Sequence, residues 1–201
     1  MRRLALTAAL VGSAALALLA LAAGLLGRLA DPPAGPLAGS PRCALPCWNG
    51  IRPGEMLVPR ASQILVSQGY DPSSDAQDRA HMHYTPRPHV EGCTVRLEHY
   101  NAIVTETRLS NCPGLRLGDV LAALGPPEGI QPGLLQFSFR GGQVRVKLRQ
   151  DGCAPRLSPR LPVSSVSLSA DGQPSGYAPW RGFMSPYHYL RLYPTIVLLS
   201  C

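Results

Sequence analysis

The chain has 201 residues, and its first thirty or so are too apolar for a globular body, which leaves room for one larger domain or two very small ones. Three of its 19 basic residues, Arg2, Arg3 and Arg28, flank that apolar segment; the others exceed the 12 acidic residues by four, which gives no warrant for nucleic-acid binding. With 20 Gly and 21 Pro, elements are expected to be short and turns many.

Met1-Arg2-Arg3 precedes an uncharged run from Leu4 to Gly27. A cleavable signal has an apolar stretch of roughly 7–15 residues and a spanning helix about 20, so the length favours an uncleaved transmembrane anchor over residues 1–30. Two arginines before the run against one after it place the N-terminus in the cytoplasm and the rest outside the cell membrane. Cys43 follows Ser40-Pro41-Arg42, not the small apolar triplet of a lipoprotein signal. Residues 31–42 read as a Pro/Gly linker.

In an oxidising compartment the six cysteines, Cys43, Cys47, Cys93, Cys112, Cys153 and Cys201, form an even set and read as disulfides. Cys93 opens one strand pattern and Cys112 closes the next, with a turn near Tyr100-Asn101 between them. An antiparallel hairpin brings those ends together, so Cys93 and Cys112 are expected to pair. Cys153 with Cys201 is the second expected bridge. Cys43 and Cys47 have a spacing allowed for half a zinc site, but no second close pair of cysteines follows.

The globular part reads as two α+β units, 43–112 and 113–172, followed by an aromatic, Pro-rich segment over 173–201. In the first, Ala61, Ile64, Leu65 and Gln68 share one face of a helix over 57–68, Gly69 stops it, and strand patterns follow at 81–85, 93–99 and 102–109. In the second, Leu117, Val120, Leu121 and Leu124 lie at helical spacing, and Gly125 with Pro126-Pro127 ends the helix. Strands at 134–139 and 144–148 flank Gly141-Gly142, a hairpin signal, and 163–168 makes a third. A shift of 56 lays Ala61, Ile64, Leu65 and Gly69 over Leu117, Val120, Leu121 and Gly125, the mark of a duplicated module.

A Pro-Gly turn into a short helix ended by Gly, then three strands, resembles the repeated module of β-lactamase inhibitor protein, a fold shared by the small lipoprotein of the outer-membrane assembly machine. The opening Cys43-Ala44-Leu45-Pro46-Cys47-Trp48-x-Gly50-Ile51-x-Pro53-Gly54 is more closely similar to that of an uncharacterised family of bacterial membrane-attached envelope proteins. Leu117-Gly118-Asp119-Val120, Leu161-Pro162-Val163 and Pro179-Trp180-Arg181-Gly182-Phe183 fit the same family. Met56 departs from the Thr or Ser helix cap usual in such modules. The resemblance implies two tandem modules, each a short helix with a three-stranded antiparallel sheet, whose concave sheet face recognises a partner; it carries no activity.

His81-Met82-His83 on a strand puts both imidazoles on one face, half of a metal site. Glu98 and His99 are adjacent on a strand, so they point to opposite faces and form no acid–base pair. No nucleophile elbow, Gly-rich phosphate loop or His-Glu-x-x-His pattern is present. Arg145, Lys147 and Arg149 alternate with Val144, Val146 and Leu148, which lines three cations along one strand, with Arg140 across the hairpin. Near an anionic membrane each contributes on the order of 1 kcal/mol. Six of the aromatic residues fall between Tyr177 and Tyr193, around Pro179, Pro186 and Pro194, a run expected to lie across the sheet as a cover and not to form a regular helix. Trp180 in that run is the aromatic candidate for partner contact.

Together these features describe an anchored, extracytoplasmic binding or envelope-assembly protein, with neither enzyme activity nor cofactor. Its binding residues are Arg145, Lys147, Arg149 and Trp180, and its partner an envelope protein or anionic lipid, not nucleic acid. The alternative is a metal-dependent hydrolase using His81 and His83.

Overall fold

Alternation of apolar and polar residues along the strands decides the architecture. The computed structural model describes residues 43–73, 81–131, 134–149, 157–172 and 177–192, with Leu18 and Leu37 besides. In chain order it contains α1 (Val58–Ser67), β1 (Tyr70–Pro72), β2 (His81–Pro86), β3 (Thr94–Tyr100), β4 (Ile103–Ser110), α2 (Leu117–Leu124), β5 (Gly129–Gln131), β6 (Gln136–Phe139), β7 (Val144–Leu148), β8 (Val163–Ser169), β9 (Ala178–Pro179) and α3 (Pro186–Leu192). A 3₁₀ turn over Arg140–Gly142 joins β6 to β7 where the Gly-Gly hairpin was expected.

The class is α+β, and the strands form one antiparallel sheet of nine in the order β1-β2-β3-β4-β8-β7-β6-β5-β9. Two separate three-stranded modules are therefore not what the chain builds. α1 is followed by β1–β4 and α2 by β5–β8, with β9 added from the aromatic segment. The two runs meet where β4 pairs with β8, so residues 43–112 and 113–172 share one sheet and one core. The extra strands, β1 and β5, are three residues long, too short to show alternation in sequence.

The internal repeat is nevertheless visible in the backbone. Isolated bridges join Leu57 to Ile103 and, at equivalent places, Arg116 to Pro162. The Val58 amide donates to the Ala102 carbonyl at 2.9 Å, as Leu117 does to Leu161 at 2.9 Å. These pairs are related by one offset, 59, which is also the separation of Arg108 from Ser167, the pair at the middle of the β4–β8 ladder. The offset of 56 that aligns the helices by sequence is short by three residues, close to one helical turn.

Those same hydrogen bonds help start two helices whose N-cap side chains do not cap them. The second is aided also by the Asp119 carboxylate, which accepts from the Arg116 amide at 2.8 Å. Leu57 and Arg116 occupy the N-cap positions, and neither side chain caps its helix. The unpaired first-turn amides find strand and loop carbonyls instead: Val58 that of Ala102, Leu117 that of Leu161, and Gly118 that of Pro159 at 2.7 Å. The absent Thr or Ser near Met56 is thus compensated by tertiary contact.

Most apolar strand positions face the helices; Tyr100 and Ile103, at the β3–β4 turn, are exposed. Tyr84, Val95, Leu97, Val104, Leu109, Phe137, Phe139, Val144, Val146, Val166 and Leu168 are buried in one cluster with Val58, Ala61, Leu65, Leu117 and Val120. The opening segment plugs one end of it. Trp48 and Ile51 exchange backbone hydrogen bonds at 3.0 and 2.8 Å across Asn49-Gly50, whose φ values of 50° and 86° make a tight turn that Gly50 favours. Trp48 packs edge-on against Tyr70, with ring centroids 6.4 Å apart. A Cβ on Gly54, at φ +84°, would lie 2.5 Å from that of Ala170.

Disulfides join Cys93 to Cys112, at the two ends of the β3–β4 hairpin, and Cys43 to Cys47, which closes the opening segment instead of half a zinc site. Cys153 and Cys201 lie outside the described residues, as does the anchor expected over 1–30. Among the described residues no helix is long and apolar enough to cross a membrane. The aromatic segment adds β9 to the sheet beside β5 and then forms α3, a helix that the prolines were expected to forbid. Pro186 opens that helix, where a missing N–H costs nothing.

Candidate functional site

The face of the sheet turned away from the helices is polar and charged, and its side chains are read off the strand register. From β2 it receives His81 and His83, from β3 Arg96 and Glu98, from β4 Glu106 and Arg108, from β8 Ser165 and Ser167, from β7 Arg145 and Lys147, and from β6 Gln136 and Ser138. Period-two alternation puts these residues opposite the buried apolar set.

The charges form a row across neighbouring strands. Glu98 Oε1 lies 3.9 Å from His81 Nε2, 3.6 Å from Arg96 Nε and 3.4 Å from an Arg108 Nη2. Arg108 then donates to Glu106 Oε1 at 2.8 Å through Nη2 and to Ser167 Oγ at 3.2 Å through Nε. The other Glu106 oxygen accepts from Arg145 Nη2. Glu106 is the innermost of these charges, its side chain only 10% exposed. Four cations, Arg96, Arg108, Arg145 and Lys147, share the face with two carboxylates. The Nε atoms of Arg96 and Arg145 are buried and have no hydrogen-bond acceptor. Beyond Lys147, Gln136 donates to the Tyr177 hydroxyl at 2.7 Å. Burial raises the Tyr177 phenol above its ordinary pKa of 10.0, against the smaller opposing effects of Arg145 and of the Gln136 hydrogen bond.

The residues singled out from sequence separate into three places. Arg145 and Lys147 stand on the polar face; Arg145 is ion-paired, and Lys147 is exposed. Arg149 lies just past Leu148, the last residue of β7. It lines a cleft near the start of α2 instead. Trp180 packs on the core side, 5.4 Å from Phe137, 5.5 Å from Phe183 and 6.2 Å from Tyr189 between ring centroids. Tyr189 is fully buried; its hydroxyl accepts from the Arg181 amide at 2.8 Å and donates to the Gly182 carbonyl at 3.0 Å, so the Pro-Trp-Arg-Gly block is pinned to the core.

His81 and His83 do share the polar face, but the residue opposite His83 is Arg96, a cation where a metal ion would need a donor. Burial pulls the His83 imidazole below its ordinary value of 6.5, and Arg96 and His81 push it the same way. Among the described residues no group of three His, Cys, Asp or Glu is arranged to hold a metal ion. Sequence reading overlooked Arg96, Glu106 and Arg108, and weighed Glu98 only against its neighbour His99. Their signal was present as charges alternating with Val95, Leu97, Thr107 and Leu109, the same pattern noticed on β7.

Comparison with family models, characterised proteins and solved structures finds no match.

Proposed function

We propose that this chain is a membrane-anchored, extracytoplasmic binding or envelope-assembly protein, without catalytic activity, whose polar sheet face receives an acidic segment of an envelope partner. One observation carries the reading: the excess of guanidinium and ammonium groups over carboxylates on that face, with two Nε–H groups left without acceptors. An excess of cations on one face favours an incoming carboxylate, which accepts charge-assisted hydrogen bonds from guanidinium and ammonium groups. Two disulfides suit an oxidising compartment. The apolar run over 4–27 supplies the membrane attachment, and the opening motif is similar to that of membrane-attached envelope proteins.

The experiment compares cross-linked envelope partners of the tagged full chain with those of the Arg96→Glu and Lys147→Glu variants. A specific partner should disappear when these charges are reversed, and its recovery should fall as salt rises. An unchanged set of partners would remove the sheet face as the recognition surface. Anionic lipid is tested alongside by replacing Arg145, Lys147 and Arg149 with Ser. If vesicles containing anionic lipid bind the wild-type domain and lose the triple variant, the partner is the membrane surface.

A further inference from the structure

Away from the charged row, the turn between β4 and α2 forms one side of a cleft of about 380 Å³. Asn111, Cys112, Gly114, Arg116, Arg149 and Pro162 are among the residues that line it. Its walls are fixed. Cys112 is tied to Cys93, the Val163 amide donates to Leu115 at 3.0 Å, and the Arg149 amide donates to Pro162 at 2.9 Å. Two exposed arginines thus sit on a braced backbone frame.

Neither Arg116 nor Arg149 forms an ion pair with a carboxylate among the described residues. Asp119, the acid nearest to Arg116 in sequence, spends an oxygen on the Arg116 backbone amide at 2.8 Å, and Asp151, two residues after Arg149, lies outside the described residues. The repeat supplies an internal control. At the position equivalent to Arg116 the first run has Leu57, and opposite it Ile103 stands where the second run has Pro162. The same bridge and the same helix start are made there with apolar side chains, so the architecture does not require a cation at 116.

We propose that the cleft binds a small oxyanion, a carboxylate or phosphate group, gripped by Arg116 and Arg149. A guanidinium offers paired N–H groups in a plane, which match two oxygens of either anion, and two such forks select an anion over a neutral ligand. This site lies apart from the charged row and shares only Arg149 with the lipid test.

The test uses the full chain in detergent micelles, titrated with inorganic phosphate, with N-acetylglycine and with neutral N-acetylglycinamide, and followed through the arginine Nε–H resonances. Saturable shifts at Arg116 and Arg149 are expected with the phosphate or the free acid and not with the amide; the stronger of the two anions identifies the natural group. Arg116→Gln and Arg149→Gln should each weaken binding several-fold, and the pair together at least tenfold. Arg60→Ser, at an exposed arginine on α1, should leave it unchanged. Arg116→Lys with Arg149→Lys keeps the charge without the fork, and should give an intermediate loss in a folded protein. Absence of saturable binding by either anion, or equal binding by the double Gln variant, would overturn the proposal. So would loss of binding on changing Arg60.

Discussion

Glu106 shows most directly how a single side chain organises the polar face. It accepts from Arg108 and Arg145 together and is largely withdrawn from water. Removing one partner of a fully buried pair costs about 3–5 kcal/mol. Here the two guanidinium groups keep 38% and 26% exposure, so screening reduces the cost, and Glu106→Gln should lose about 1–2 kcal/mol in urea denaturation. The same change removes a negative charge, so it should strengthen capture of an acidic partner while weakening the fold. A purely structural carboxylate would show only the second effect. His83 gives a prediction of pH dependence. Its imidazole is held below 6.5, chiefly by burial and then by Arg96 and His81. As pH falls through 6.5 the unfolded chain takes up a proton that the folded chain refuses, so stability present above that pH is lost below it. Between pH about 7.5 and about 5, the drop in urea midpoint should be smaller for His83→Gln than for the wild type.

At the scale of elements, the two described disulfides should differ in effect. Cys93–Cys112 spans 19 residues and Cys43–Cys47 only 4, so loop entropy assigns about 3 kcal/mol to the first and about 2 to the second. Replacing each pair by Ser and comparing thermal midpoints should rank them in that order. The long bridge was legible because two strand patterns placed its cysteines at the open ends of one hairpin. The longer strands and both N-terminal helices were legible for the same reason, since Val95 and Leu97 alternate while Ala61 and Leu65 fall one turn apart. What stayed hidden had no period to show. β1 and β5 give three residues each, and α3 begins on the proline that seemed to forbid it. The repeat was seen at the wrong offset because shifting a helix by three or four residues returns nearly the same face. Only the strand pairing distinguishes 56 from 59. The polar face was half seen: β7 displayed Arg145 and Lys147, while Glu106, the carboxylate that binds Arg145, comes from β4, 39 residues away in sequence.

For the molecule as a whole, the decisive feature is that the two runs are continuous through β4 and β8. The outer edges of the sheet are β1 and β9, three and two residues long and each ending in a proline, a form that resists further strand addition. The inner edge of either half has no such protection. A fragment covering 43–112 would expose β4, and the common offset means that a second copy of β4 fits where β8 normally lies. In that arrangement Thr107 and Leu109 would face each other across the pair, on the apolar side. Arg108, which the full chain sets against Ser167, would meet Arg108 of the second copy. Like charges directly opposite each other disfavour the pair by a few tenths to about 1 kcal/mol. The fragment should therefore dimerise weakly, and Arg108→Ser, which installs the residue found at 167, should tighten the dimer roughly two- to fivefold in sedimentation equilibrium. A fragment that stays monomeric at every concentration, or one whose Arg108→Ser form associates less, would mean that β4 and β8 are not interchangeable edges. The nine-stranded sheet would then owe its join to side chains particular to β8, and not to the repeat.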